Sequence, residues 1–253
     1  NVETSEKSGP HDKVTQMDQG IEMLYRVWLQ RHYPHHKIIG EEGHKDLVSG
    51  TDYVWYLDPV DGTSNFIDGN PNVTIHACCV YNGKPFVSYL GFPFQDRSQI
   101  YYEGGPTYYE KRPAFHTELV IGTEYLPTKL IQDQRFHAYT DQKGLTRHRI
   151  NSIGMHIHHL IQGEVTAFYK PKIKLWDLLA PLAFLEQHFP GLYHIDMYTE
   201  GQLKAFSPFS NEPEFVDILN KQHQDNCRIG DILICPKHLQ TLRLDLLELM
   251  RSL

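Results

Sequence analysis

Apolar side chains first fall on a helical repeat between Gln16 and about Arg31, where Met17, Ile21, Leu24 and Trp28 recur at steps of four, three and four. That spacing predicts an amphipathic helix buried on this face and ended by Pro34. The period then changes. Tyr53-Val54-Trp55-Tyr56-Leu57 is a short apolar run that stops at Asp58-Pro59, as a buried strand does at the edge of its sheet. Val73, Ile75, Ala77 and Cys79 alternate with Thr74, His76, Cys78 and Val80, and a second run follows Asn82-Gly83 from Pro85 to Phe92. Two such runs joined by an Asn-Gly turn predict a hairpin. Tyr101-Tyr102 and Tyr108-Tyr109, flanking Gly104-Gly105-Pro106, predict another pairing and a surface for an interface.

Further on, Leu119-Val120-Ile121 reads as a strand, Pro127 to Phe136 as a helix, Ile153 to Gln162 as a helix and Ala167-Phe168-Tyr169 as a strand. Leu178 to His188 is helical again. Proline is tolerated in a first helical turn, so Pro181 places the start of that helix close to Asp177. The Leu-rich tail from Pro236 to Leu253 has helical spacing and reads as completion of the fold. With no internal repeat, low-complexity block or Gly/Ser linker, residues 1–253 read as one fold. A soft division near 110–117 separates an N-terminal α+β half from a C-terminal α/β half that contributes Asp177.

Composition narrows the class. Of 253 residues 40% are hydrophobic, enough for a buried core, which excludes disorder over the whole chain. The 31 acids outnumber the 24 Lys and Arg, and a formal charge of −7 argues against a nucleic-acid or anionic-membrane surface. No apolar run is long enough to span a bilayer and the first residues have no signal core, so a cytoplasmic location is expected. Cys78, Cys79, Cys227 and Cys235 suit buried thiols, since they form neither a disulfide framework nor a CxxC pair. The clusters His32/His35/His36 and His156/His158/His159 lack a clean zinc spacing. The chain opens at Asn1 without Met, so a preceding segment is expected to have been removed or left out.

Chemistry concentrates in Asp58-Pro59-Val60-Asp61-Gly62-Thr63-Ser64. Two carboxylates three residues apart at a strand end, with Pro59 setting the turn, can converge on hard divalent cations, which take oxygen ligands. If a helix starts after them, the backbone N–H groups of Gly62, Thr63 and Ser64 and its dipole make a phosphate cradle. Gly40-Glu41-Glu42-Gly43 lies upstream, and Trp176-Asp177 opens a helix far downstream. Taken singly these have ordinary readings: solvated loop, turn former, helix N-cap.

Taken in order, GEE, then WYLDPVDGTSNF, then LWDLLAP resembles the inositol monophosphatase family, whose motifs are GEE, DPxDGTxNF and WDxxA. The segment from Lys7 to Asp18 resembles the family's lysine-led stretch, and the resemblance runs over roughly residues 7–210. It implies an α/β fold, a layered α+β sandwich of the αβαβα type, and a bacterial-type, Li⁺-sensitive hydrolase using two or three Mg²⁺ ions per site. Glu41, Asp58 and the Val60 carbonyl would hold one Mg²⁺, and Asp58, Asp61 and Asp177 a second. Glu41 and Thr63 would activate a water, with Asp18 orienting Thr63, while Gly62, Thr63 and Ser64 bind phosphate. Lys7 matches a family lysine near the metals. Asp61, Ile153, Lys170 and Asp177 would contact substrate. Inositol-specific members carry Glu where this chain has Lys170, and the family's Gly-Ser or Gly-Thr reads Asn151-Ser152 here.

An ammonium donates and never accepts, so Lys170 favours a more anionic substrate than inositol 1-phosphate. The rivals are the 2′-phosphate of NADP, 3′-phosphoadenosine 5′-phosphate and fructose 1,6-bisphosphate. A metal-bound scaffold without turnover is the non-enzyme alternative. A small-molecule phosphate ester is the expected partner and a homodimer is possible, with no nucleic-acid or membrane partner.

Overall fold

The computed structural model describes residues 4–6, 13–43, 45–46, 52–105, 119–123, 132–199, 202–206 and 228–251. A two-stranded ribbon, β1 (Thr4–Glu6) with β2 (Lys13–Thr15), leads into α1 (Gln16–His32). Thr15 caps that helix: its hydroxyl accepts the Met17 amide at 3.1 Å while the Asp18 carboxylate accepts the Thr15 amide at 2.9 Å.

A five-stranded sheet of order β3-β4-β5-β6-β7 follows, from β3 (Lys37–Gly40), β4 (Val54–Asp61), β5 (Thr74–Tyr81), β6 (Lys84–Phe92) and β7 (Arg97–Tyr102). The Asn82-Gly83 turn has positive φ at both residues, 50° and 75°, the left-handed pair that a tight two-residue hairpin requires. Short α2 (Thr63–Ile67) links β4 to β5.

The second sheet has six strands in the order β12-β11-β13-β10-β8-β9. They are β8 (Val120–Gly122), β9 (Thr146–His148), β10 (Ala167–Lys174), β11 (Tyr193–Thr199), β12 (Gln202–Ala205) and β13 (Arg228–Pro236). Between the sheets lie α4 (Ile153–Gln162) and α5 (Leu175–His188), and the main core joins both sheets through them, from Tyr56 and Cys78 through Leu160 and Leu179 to Phe168 and Ile232. Leu29 of α1 packs with Ile38, Leu57 and Ala77 on the outer face of the first sheet. On the outer face of the second, Phe136 of α3 (Gln134–Lys143) and Leu242 and Leu246 of α6 (Gln240–Arg251) pack with Tyr169 and Leu233. The layers therefore alternate helix, sheet, helix, sheet, helix, as the resemblance implied.

Several expectations need correcting. The face of α1 named by its apolar repeat is turned outward: Met17 is 49%, Leu24 71% and Trp28 52% exposed, while Asp18 and Glu22 are buried with Leu29. Those two acids find hydrogen-bond partners at the sheet's rim, which outweighs the apolar repeat. The strand at Tyr53 does not stop at Asp58-Pro59 but runs to Asp61 as β4. Of the helix expected at 127–136, residues 127–131 lie outside the described residues; Gln134 to Phe136 open a helix that Asp133 caps and that runs on to Lys143. Pro181 lies in the interior of α5, which opens at Leu175; that helix is buried on nearly every side, so packing compensates the lost backbone bond. The Tyr108-Tyr109 arm, Lys7, Cys227 and the division near 110–117 lie outside the described residues.

Candidate metal centre

The local geometry of β4 aims the acids. Asp58 pairs with His76 and Asp61 with Thr74, three steps on one strand against two on the other, so a bulge falls at Pro59-Val60. Odd spacing on a regular strand would send Asp58 and Asp61 to opposite faces; the extra residue returns both to one face. Proline suits this place because a bulge leaves an amide out of the ladder. Asp58, 2% exposed, accepts the Val60 amide at 3.1 Å.

Glu41 follows the end of β3, and Asp177 sits in the first turn of α5, its Oδ2 accepting the Lys174 amide at 3.2 Å. One carboxylate oxygen from each of Glu41, Asp58 and Asp177 lies within 4.8 Å of the other two. Burial, and then the nearby Glu41 charge, push the Asp177 carboxyl up to about 6. Lys174 and Lys170 offset part of that repulsion, and the Lys174 ammonium stands 3.4 Å from Glu41 Oε1 and 5.0 Å from the Trp176 ring centre. An all-oxygen donor set drawn from three segments, held together against mutual repulsion, fits a hard divalent cation such as Mg²⁺.

Asp61 is placed differently. Its Oδ2 accepts from the Thr74 and Ser152 hydroxyls, both at 2.6 Å, and from the Gly154 amide at 2.9 Å, while Oδ1 accepts the Ile153 amide at 3.0 Å. Burial alone would raise this carboxyl, but His76, Ser152 and Thr74 outweigh it and hold it well below the usual range. Asp61 thus binds β4 to the N-terminus of α4, outside the three-acid group. A Cβ on Gly154 would lie 2.2 Å from Thr74 Oγ1, so only glycine lets the helix start this close to the strand.

Gly62 has φ +94°, and a Cβ there would meet the Asn72 carbonyl at 2.9 Å. The turn it permits starts α2 at Thr63. The Thr63 hydroxyl lies 3.0 Å from Asp18 Oδ1 and 3.0 Å from the Val60 carbonyl, so that carbonyl, expected as a metal ligand, here accepts from Thr63. Ser64 occupies the next position of α2. Lys170 of β10 places its charge among Asp177, Asp61 and Glu41, with burial drawing its pKa down.

Four contributors escaped the motif reading. Glu22 sits one turn after Asp18 on the same helix face and accepts the Glu42 amide at 2.7 Å. Asn65, inside the DGTSNF run, donates to the carbonyls of Asn72 and Ile150, each at 2.7 Å, and so joins α2 to the approach to α4. Ser152 caps α4 as well as holding Asp61. Lys174 stands three residues before Asp177, and only that spacing at a helix start hinted at a shared site.

A model of the inositol monophosphatase family matches residues 1–187. Among curated proteins, the chain is 26% identical over 195 residues to the chloroplast phosphatase IMPL1 of Arabidopsis thaliana, covering 71% of this chain and 52% of that protein. It is 25% identical over 190 residues to the inositol-1-monophosphatase of Bacillus subtilis, covering 72% of each. The match thus spans about half the length of the plant relative. Among solved structures, an IMPase/NADP phosphatase with Mg²⁺ and phosphate aligns with a TM-score of 0.71 at 18% identity, over 97% of this chain and 85% of that one. A staphylococcal inositol monophosphatase-1 soaked in LiCl aligns with a TM-score of 0.67 at 17% identity, over 93% and 81%. At these identities the structural likeness establishes the layered fold.

Proposed function

The chain belongs to the inositol monophosphatase family, and from that premise we propose that it is a divalent-cation-dependent phosphomonoesterase acting on a small phosphorylated metabolite. The observation that carries this reading is the convergence of Glu41, Asp58 and Asp177 within 4.8 Å beside the Thr63 hydroxyl. Glu41, Asp58 and Asp177 would hold the cations, flanked on the same strand as Asp58 by the Val60 carbonyl and Asp61, each of which accepts hydrogen bonds from the chain. When bound, Mg²⁺, two or three ions per site, acts as a Lewis acid toward phosphate oxygens and makes a coordinated water acidic.

The rest belongs to the chain. Asp18 orients the Thr63 hydroxyl, and Thr63 with Glu41 positions the attacking water and takes up its proton. The N–H groups of Gly62, Thr63 and Ser64 face the phosphate oxygens. Ile153 lines the substrate side through the amide that holds Asp61. Attack is in line and needs no covalent phospho-enzyme.

A second substrate reading rests on Lys170 and Lys174. Two ammonium groups at the acidic cluster suit an ester carrying a further anionic group, such as the 2′-phosphate of NADP, more than inositol 1-phosphate. A phosphate-release panel of inositol 1-phosphate, NADP, 3′-phosphoadenosine 5′-phosphate and fructose 1,6-bisphosphate tests the proposal. Turnover that needs Mg²⁺ and is suppressed by Li⁺ supports it. Mg²⁺ binding without turnover of any ester replaces it with the scaffold reading, and turnover indifferent to chelator overturns the metal chemistry. Among the described residues no helix is long and apolar enough to cross a membrane. A cytoplasmic setting and a homodimer complete the reading, the latter checked by sedimentation.

A further inference from the structure

We propose that Glu22 is the positioning residue for Glu41, and that the two glycines of Gly40-Glu41-Glu42-Gly43 exist to admit its carboxylate. This rests on the reading that Glu41 holds a divalent cation. Glu22 is 2% exposed, in the second turn of α1. Its Oε1 accepts from Arg26 Nε at 2.8 Å and its Oε2 from the Glu42 amide at 2.7 Å. A Cβ on Gly40 would lie 2.2 Å from Glu22 Oε1 and one on Gly43 2.4 Å from the same atom, distances no side chain tolerates. The carboxylate is therefore seated between the two glycines, with Glu41 on the segment they bracket.

A buried carboxylate is costly unless its lone pairs are met, and here both oxygens have a partner in a fixed geometry. The Glu41 amide already extends the β3 ladder to the Leu57 carbonyl at 3.1 Å, and the Glu22 carboxylate fixes the next residue, where the chain leaves the sheet. Clamped at the Glu42 amide, it presents Glu41 to Asp58 and Asp177 before any ion arrives. Asp18 and Glu22, one helical turn apart, divide the labour: the first reaches Thr63 and the second the Glu41 loop. The polar face of α1 is thus the frame on which both halves of the site are hung. Groups that orient a metal ligand characteristically change metal affinity by about 10–100-fold when removed.

The test is Mg²⁺ titration by calorimetry into the metal-free full chain, with the unfolding temperature of the same metal-free samples as a second readout. Glu22→Gln keeps the shape but has one acceptor oxygen for two donors, so its Kd for Mg²⁺ is expected to rise by about 10-fold or more. Gly43→Ala, which intrudes on the same carboxylate from the loop side, is expected to act in the same direction. Gly20→Ala on α1, where an added Cβ meets nothing within 4 Å, is expected to leave the Kd unchanged. A lower unfolding temperature with wild-type Mg²⁺ affinity in both Glu22→Gln and Gly43→Ala reduces Glu22 to a structural ion pair and overturns the proposal. If one of the two variants fails to fold, the other decides. Absence of Mg²⁺ binding by the unaltered chain sinks the metal reading itself, an outcome distinct from failure of the Glu22 clamp.

Discussion

The Thr63 hydroxyl stands 3.0 Å from Asp18 Oδ1, a contact made across 45 residues of sequence. Asp18 is 1% exposed and is fixed from its other side by the Thr15 amide, so the acceptor that orients Thr63 is itself immobile. With the Val60 carbonyl also 3.0 Å away, the hydroxyl sits between two fixed acceptors, which limits the directions in which it can pass on a proton.

Thr63→Val should therefore lower kcat by about 10²–10⁴-fold while Thr63→Ser, which keeps the hydroxyl, stays within several-fold of the parent. Steady-state phosphate release on the best ester of the panel measures this. Equal losses in the two variants would show that the hydroxyl is dispensable.

Asp58 is the most deeply buried member of the acidic group, at 2% exposed, and Asn has almost its shape. Asp58→Asn should abolish Mg²⁺-dependent turnover while leaving the circular dichroism spectrum and the cooperativity of unfolding intact, because the Val60 amide can still donate to the side-chain oxygen. Calorimetry should register loss of at least one class of Mg²⁺ site. Retained turnover would remove Asp58 from the metal set.

Lys170→Glu replaces a donor with an acceptor beside Asp177, Asp61 and Glu41. The ratio of kcat/KM for NADP to that for inositol 1-phosphate should fall by about 10-fold or more, one charge-assisted contact being worth that much. An unchanged ranking of esters would mean that Lys170 does not meet the substrate.

His158 gives a pH signature remote from the acids. Burial, and then the Arg97 charge 2.5 Å from its ring nitrogen, lower its pKa to about 3. A histidine depressed in the folded state is protonated more readily in the unfolded chain, so stability is complete above about pH 6.5 and declines as pH falls toward 3. His158→Leu, which cannot titrate, should flatten the fall in unfolding temperature between pH 6.5 and 4.5. A slope equal to that of the parent would assign the acid sensitivity elsewhere, with His156 as the next group to remove because burial lowers it to about 4.

How legible these features were in sequence depends on whether their cause is local. The Asn82-Gly83 hairpin, α4 and the strand at Ala167 follow from turn chemistry and short-range periodicity, which a linear pattern carries in full. The motif order likewise named Glu41, Asp58, Asp61 and Asp177 with the Val60 carbonyl as candidates, of which Glu41, Asp58 and Asp177 bring carboxylate oxygens within 4.8 Å of one another. Helix α1 shows the limit: its apolar repeat is real, yet Met17, Leu24 and Trp28 face outward. Periodicity shows that two faces differ, and cannot show that the polar one has partners waiting at Thr63 and Glu42.

The amino-acid order alone carried the fold class and the family resemblance and put the acids forward as candidates, because these reside in residue types and their spacing. Which acids meet was settled in three dimensions. The bulge at Pro59-Val60 turns Asp58 and Asp61 to one face, the start of α4 then takes Asp61 through three hydrogen bonds with Thr74 of β5 adding a fourth, and α5 delivers Asp177 to Glu41 and Asp58. Glu22, which no motif names, is visible only when α1 and the Glu41 loop are laid together, since a carboxylate between two glycines is a relation among segments that are separate in the chain.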